Sequence, residues 1–208
     1  ATVIYSGENE SGVFKMDLEI PFTAVASESE IQPSTRVTAN VSVTVADAAM
    51  INPRKIIVRI NLMTNVSCFN ESELSVASGM DEDNDAEIEL LTDANEIETT
   101  TGVKEKTFVI SDELTVPSAN PPIGEILKYK VNLVPEDTKV VGNKMILRGT
   151  AYVSLLYKTP EDNELSRSEF NTEFSQILEL DGASGECDST FILMLTNAYF
   201  DADPSTQN

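Results

Sequence analysis

The chain has 208 residues, 41% of them hydrophobic, and a formal net charge of −21 from 35 acidic and 14 basic residues. That length supports a core without a metal or disulfide staple. The charge argues against nucleic acid, whose phosphates need a Lys/Arg surface, and against insertion at an anionic membrane. Histidine is absent from the sequence, which removes Ser-His-Asp and Cys-His chemistry and the commonest metal ligand.

In chain order, residues 1–5 are a short apolar start and 6–12 a polar turn with two glycines. Residues 13–20 alternate, with Phe14, Met16, Leu18 and Ile20 on one face and Lys15, Asp17 and Glu19 on the other, which predicts a strand. Pro21-Phe22 breaks it, and 23–27 begins a new extended piece. Residues 38–45 are predicted as a strand with Ala39, Val41, Val43 and Val45 inward and Thr38, Asn40, Ser42 and Thr44 outward. Residues 54–69 form the longest candidate strand of the first half, with Ile56, Val58, Ile60, Leu62, Thr64, Val66 and Cys68 on one face.

Residues 70–84 read as a loop that ends in an acidic run, and 86–92 as a strand or a helical turn. Residues 108–116 read as a strand, 117–122 as a proline-bearing link, 123–127 as a helical turn and 128–134 as a further strand. The stretch 143–180 is the clearest motif. Met145, Leu147, Gly149, Ala151, Val153 and Leu155 share the apolar face of a long strand. Turn chemistry at 158–163 is followed by strands at 165–170 and 174–180, and Asp181-Gly182 closes the unit. Turn signals recur about every ten residues, which predicts an all-β chain of sandwich or barrel-like antiparallel units.

Slid against itself by 152 residues, the chain matches without gaps: Val3 falls on Leu155, Tyr5 on Tyr157, Leu18 on Phe170, Phe22 on Phe174 and Val41 on Leu193. The expected organisation is two related β units, 1–70 (N-terminally incomplete) and 128–208, joined by a β-rich connector, 71–127, that holds the acidic loop. In the phase of the repeat, the second unit's strands over 128–152 have no counterpart here before Ala1, and 54–69 has none after Asn208. Each unit is therefore expected to lack a part that the other has, leaving strand edges for a neighbour to fill.

Among chemistry-bearing residues, Asp81, Asp83 and Asp85 have the oxygen spacing of a calcium loop. Ala86 stands where that loop needs Gly, and Thr92 where it needs the bidentate Glu, so the site is a weak candidate and a solvated loop is the ordinary reading. No other metal ligand set and no cofactor motif is found. Cys68 and Cys187 give no metal spacing; each reads as a single thiol, or as a candidate inter-chain cross-link in an oxidising setting. Arg54-Lys55 and 104–106 are the local basic clusters, either solvated side chains or contacts for the acidic surface of a neighbouring subunit. No carboxylate pair stands out for catalysis, and no Trp offers a sugar platform. No apolar run approaches the ~20 residues of a membrane span.

The phrase over 105–157 resembles the SPOCS-domain family of sporulation proteins, the family of SipL-like spore-coat morphogenetic proteins. The residues that carry the resemblance are Pro117, Pro121, Pro122, Ile123, Glu125, Ile126 and Leu127, then Asn143, Lys144 and Gly149. Pro21-Phe22 looks like a further family signature, reduced to Glu173-Phe174 in the second unit, and Asp181-Gly182-Ala183 like another. The family's members usually carry a C-terminal LysM module, which this sequence does not show, so an exposed structural relative is expected. The resemblance implies a non-enzymatic structural protein of the endospore surface (coat, exosporium or appendage), supplied from the mother-cell cytoplasm. Its expected partners are copies of itself and other spore-coat proteins. The alternative is a monomeric adaptor that binds one coat-morphogenetic protein.

Overall fold

A computed structural model describes residues 1–7, 12–27, 31–73, 75–76, 94, 96–185 and 187–202. These residues are all-β, with seven strands and no helix: β1 Thr2–Ser6, β2 Val13–Asp17, β3 Arg36–Asn52, β4 Lys55–Phe69, β5 Glu125–Val141, β6 Lys144–Lys158 and β7 Leu165–Glu179. They form three antiparallel sheets, β1-β2, β3-β4 and β5-β6-β7, none of which closes into a barrel. Contacts gather the chain into two units, one of Ala1–Ile20 with Thr100–Asn208 and the other of Pro21–Thr99.

In the first unit the core lies on one face of β5-β6-β7. Leu147, Ala151, Val153, Leu155 and Tyr157 of β6 are buried, the face that period-two alternation assigned inward. Their neighbours across the ladders continue it, Leu133 and Val131 opposite Ala151 and Val153 on β5, and Phe174 and Phe170 opposite Gly149 and Val153 on β7. The β5–β6 connection is a two-residue turn in which Gly142 takes φ 60°, as the primed hairpin turns require. Pro135, which has no N–H to give, sits on an outer strand beside a register shift between Pro135 and Asp137. Two expectations are corrected here. Residues 123–127 make no helical turn, because Glu125 already pairs with Lys158 as the first residue of β5. The strands at 165–170 and 174–180 are one strand, β7, since neither Gly nor Pro interrupts the alternation through 171–173.

A hydroxyl network pins the proline link to this sheet. Tyr157, fully buried, donates its hydroxyl to the Pro121 carbonyl at 2.8 Å and lies 3.1 Å from Ser168 Oγ. Asn120 Nδ2 donates to the same Ser168 oxygen at 2.9 Å. The β6–β7 turn is held by Thr159, whose hydroxyl bonds the Asp162 carboxylate and accepts the Glu164 N–H at 2.9 Å. That bond and the Glu164 backbone hold the Asp162 carboxyl below its usual range.

The internal repeat is realised in the ladders. β1 pairs with β2 as Thr2↔Asp17, Val3↔Met16, Ile4↔Lys15, Tyr5↔Phe14 and Ser6↔Val13. Moved by the same offset, these become Ser154↔Glu169, Leu155↔Ser168, Leu156↔Arg167, Tyr157↔Ser166 and Lys158↔Leu165, every one a pair of the β6–β7 ladder. β2 ends at Asp17, short of the expected residue 20, and 23–27 joins no ladder.

In the second unit β3 and β4 make one long hairpin. Val37, Ala39, Val41 and Val43 lie opposite Cys68, Val66, Thr64 and Leu62. A bulge at Thr44 shifts the register, and Ala46, Ala48 and Met50 then lie opposite Ile60, Val58 and Ile56. Facing residues of an antiparallel pair point the same way, so one face is apolar from base to tip. The expectation that Val41, Val43 and Val45 are buried is corrected: all three are exposed, Val43 at 62%. Val45, past the bulge, has moved to the other face, opposite Asn61. The physical reason is that no second layer lies over this face among the described residues.

The crowding around Gly149 gives a stability test. A Cβ there would stand 2.4 Å from the Val134 carbonyl oxygen and 2.7 Å from the Phe174 ring. Since backbone is one of the obstacles, Gly149→Ala is expected to destabilise the first unit by about 2–3 kcal/mol, the upper range for overpacking. Urea unfolding followed by far-UV circular dichroism reads it as a lower midpoint at unchanged slope. Tyr157→Phe, which takes the side-chain donor from the Pro121 carbonyl and leaves the Ser168 hydroxyl with Asn120 alone, is expected to cost about 1–2 kcal/mol in the same assay.

Candidate interaction surface

The described residues singled out by sequence fall in both units. Asp81, Asp83 and Asp85 lie outside the described residues. Cys68 sits near the end of β4 on the apolar hairpin face, and Cys187 in the segment after β7; both are free and half-buried. Arg54 and Lys55 are at the hairpin tip, where the Arg54 N–H donates to Asn52 Oδ1 at 2.9 Å and sets the turn. Lys106 Nζ donates to the Ile177 carbonyl at 3.0 Å and so serves packing within its unit. An open depression is lined by Asn120, Arg167 and Glu169, with the last two paired to each other. Among the described residues no three His, Cys, Asp or Glu side chains stand close enough to share a metal ion.

What the sequence reading missed is a layer without a ladder. Residues 108–116, expected as a strand, are extended but belong to no sheet, and neither do 188–200. Both nonetheless pack on the inner face of β5-β6-β7. Phe108, Ile110, Phe191 and Leu193 cover Leu147 and Ala151, and Leu114 and Phe200 cover Val153, Leu155 and Tyr157. The Phe108 ring centroid is 5.7 Å from that of Phe174, and the Tyr129 centroid is 5.0 Å from that of Phe200. Side-chain bonds tie the first segment to β7, Thr172 Oγ1 donating to Asp112 Oδ2 at 3.0 Å, and the second to β5 through Ser189 and Thr138.

The hydrophobic alternation that makes these segments strand-like is satisfied by that packing. Their backbones are not: among the described residues, no backbone group of 107–116 or 188–200 bonds to another backbone group. Unpaired N–H and C=O groups along an extended segment are a template for another strand. The repeat shows what one of them should hold. The offset that maps β1-β2 onto β6-β7 places 188–200 on 36–48 of β3, and β3 has a strand partner, β4.

The proline link also takes its meaning from geometry. Pro117, Pro121 and Pro122 make no site of their own; Asn120 and the Pro121 carbonyl are the partners that close the Tyr157–Ser168 network. A buried tyrosine hydroxyl needs such partners, and the repeat had marked the position by setting Tyr5 on Tyr157.

Residues 122–202 match the family described as SipL, SPOCS domain. That family is sporulation-associated and non-enzymatic. No curated protein matches the chain, and no solved structure matches it.

Cys187 provides a chemical handle on the loop before the second open segment. Its Sγ faces the Ser184 N–H at 3.5 Å, the Ser184 hydroxyl at 3.6 Å and the Thr101 hydroxyl at 3.9 Å. The Ser184 backbone first, then the two hydroxyls, hold the thiol below its ordinary range. Alkylation by iodoacetamide, followed by mass spectrometry against pH, is expected to reach its half-maximal rate below the ~8.5 of an ordinary thiol. Ser184→Ala removes one donor and is expected to move that midpoint upward.

Proposed function

We propose, for a chain whose residues 122–202 are a SPOCS domain of the SipL kind, that it is a structural subunit of the endospore surface that self-assembles through strand-edge contacts. The domain marks a sporulation-related protein. The single observation that carries the finer reading is the unpaired backbone of 107–116 and 188–200, laid on a well-formed core yet joined to no ladder. A layer of that kind is completed by strand addition. Contacts in which one surface of a copy meets a different surface of the next do not close on themselves and give filaments.

The rest of the chemistry supports a structural role. Among the described residues the buried polar side chains are hydroxyls with hydrogen-bond partners, as in the Tyr157–Ser168–Asn120 network. Exposed apolar side chains occur on the outer side of the open layer as well, Val109 at 86% and Tyr199 at 83%. Such side chains need covering at a crowded surface. The spore coat, exosporium or an appendage are settings where this surface meets many copies of itself.

Concentrated wild-type protein is expected to form filaments or ordered sheets by negative-stain electron microscopy, with a concentration-dependent mass in sedimentation velocity. Amides of 107–116 and 188–200 are expected to exchange quickly in the dilute protein and slowly in the assembly. A monomer at every concentration overturns the reading, and a one-to-one complex with a coat-morphogenetic protein under those conditions replaces it with the adaptor role.

A further inference from the structure

The β3–β4 hairpin is out of proportion to what an isolated two-stranded sheet sustains. Its strands of 17 and 15 residues span about 50 Å at ~3.3 Å per residue. A lone hairpin in water is marginal at best without a third strand or a covering layer. Here one face is apolar along its whole length, with Val43 and Met50 exposed at 62% and 74%. Two strands ~5 Å apart over that length present roughly 500 Å² of contiguous apolar face, at the upper end of what a monomer leaves open.

The charge on the hairpin says what kind of surface it fits. Residues 36–69 hold four basic side chains, Arg36, Arg54, Lys55 and Arg59, and one acidic one, Asp47. The hairpin is thus +3 in a chain of −21, and Pro21–Thr99 has no basic residue outside it. The Arg59–Asp47 pair, 3.9 Å apart and largely exposed, leaves the two tip charges Arg54 and Lys55 uncompensated by it. The other unit, Ala1–Ile20 with Thr100–Asn208, has 21 acidic residues against 10 basic. It is also the unit with the open layer.

We propose that the β3–β4 hairpin is the arm by which one copy of this chain grips the acidic unit of a second copy. A free edge of the hairpin pairs with the open backbone of 188–200, and its apolar face extends the inner face formed there by Phe191 and Leu193. This rests on the self-assembly reading and names its two surfaces. Three observations converge on a second copy as the occupant. The arm's charge is opposite to that of the acidic unit. The repeat equates 188–200 with a strand that has a partner in β3-β4. And the apolar area alone falls short of the ~800 Å² per side of a standard interface, so backbone pairing of the kind the open segments offer makes up the rest. The arm and the layer it enters are different surfaces, so each copy both gives and receives.

The test uses the full 208-residue chain. Val43→Thr with Met50→Gln makes the arm's face polar while leaving the buried core untouched, and Arg54→Glu with Lys55→Glu reverses the tip. Each pair is expected to raise the critical concentration for assembly at least tenfold, with circular dichroism and the thermal midpoint of the monomer unchanged. Carbodiimide cross-linking of mixed ¹⁴N- and ¹⁵N-labelled copies is expected to join Lys55 to acidic residues of the other unit in mixed-isotope peptides. If wild type assembles and both variants assemble at the wild-type concentration, or if every Lys55 cross-link is within one copy, the arm is overturned while self-assembly stands. If wild type does not assemble, the self-assembly reading itself falls and takes the arm with it.

Discussion

A β-strand has two backbone edges and two faces, and a stable sheet must satisfy all four. Every feature of this protein follows from where that demand is met. In the three-stranded sheet the central strand β6 meets it most fully: β5 and β7 take its edges, the packed side chains of two extended segments take its inner face, and its outer face, with Tyr152 47% exposed, stays open. Around β6 the demand is met less and less fully. The extended segments have a face satisfied and no edge. The β3–β4 hairpin has an inner edge on each strand satisfied, and its apolar face is half-buried at Ile56, Val58 and Ile60 and exposed at Val43 and Met50.

The well-satisfied region is also the region tuned by specific chemistry. Gly149 lets the Val134 carbonyl and the Phe174 ring approach where any side chain would collide. Tyr157 spends its hydroxyl on the proline link and on Ser168, so a loop that cannot join a sheet is held by a side chain instead. Gly149, Tyr157 and Ser168 lie in the stretch that matches the SPOCS domain, whose core they help to build. Apolar burial fixes the layer's position, and hydrogen-bond pairing, which is directional, remains available.

Charge acts between copies of the chain as well as within one. A net −21 keeps copies apart by mutual repulsion, and an acidic chain with unpaired edges would stay soluble for that reason. The four basic residues of unit Pro21–Thr99 all lie on one hairpin, while the other unit carries ten of its own. Ionic strength enters through the same route, because exposed charges are screened beyond about 10 Å at 0.1 M salt.

Much of this was legible in the residues. Period-two alternation located β2, β4, β6 and the buried face of β6, because side chains on a pleated strand alternate whatever surrounds them. The 152-residue offset, read from a handful of matched residues such as Tyr5 and Tyr157, is reproduced pair by pair in two ladders. Local pattern also fixed which residues of β3 and β4 travel together up to the bulge at Thr44. What pattern does not contain is whether anything lies over a face or along an edge. Val41 and Val43 look the same in sequence whether covered or bare, and 108–116 alternates as a strand does although, among the described residues, its backbone bonds to no other backbone. Those outcomes are set by which distant segments arrive alongside, so only the assembled tertiary structure decides them.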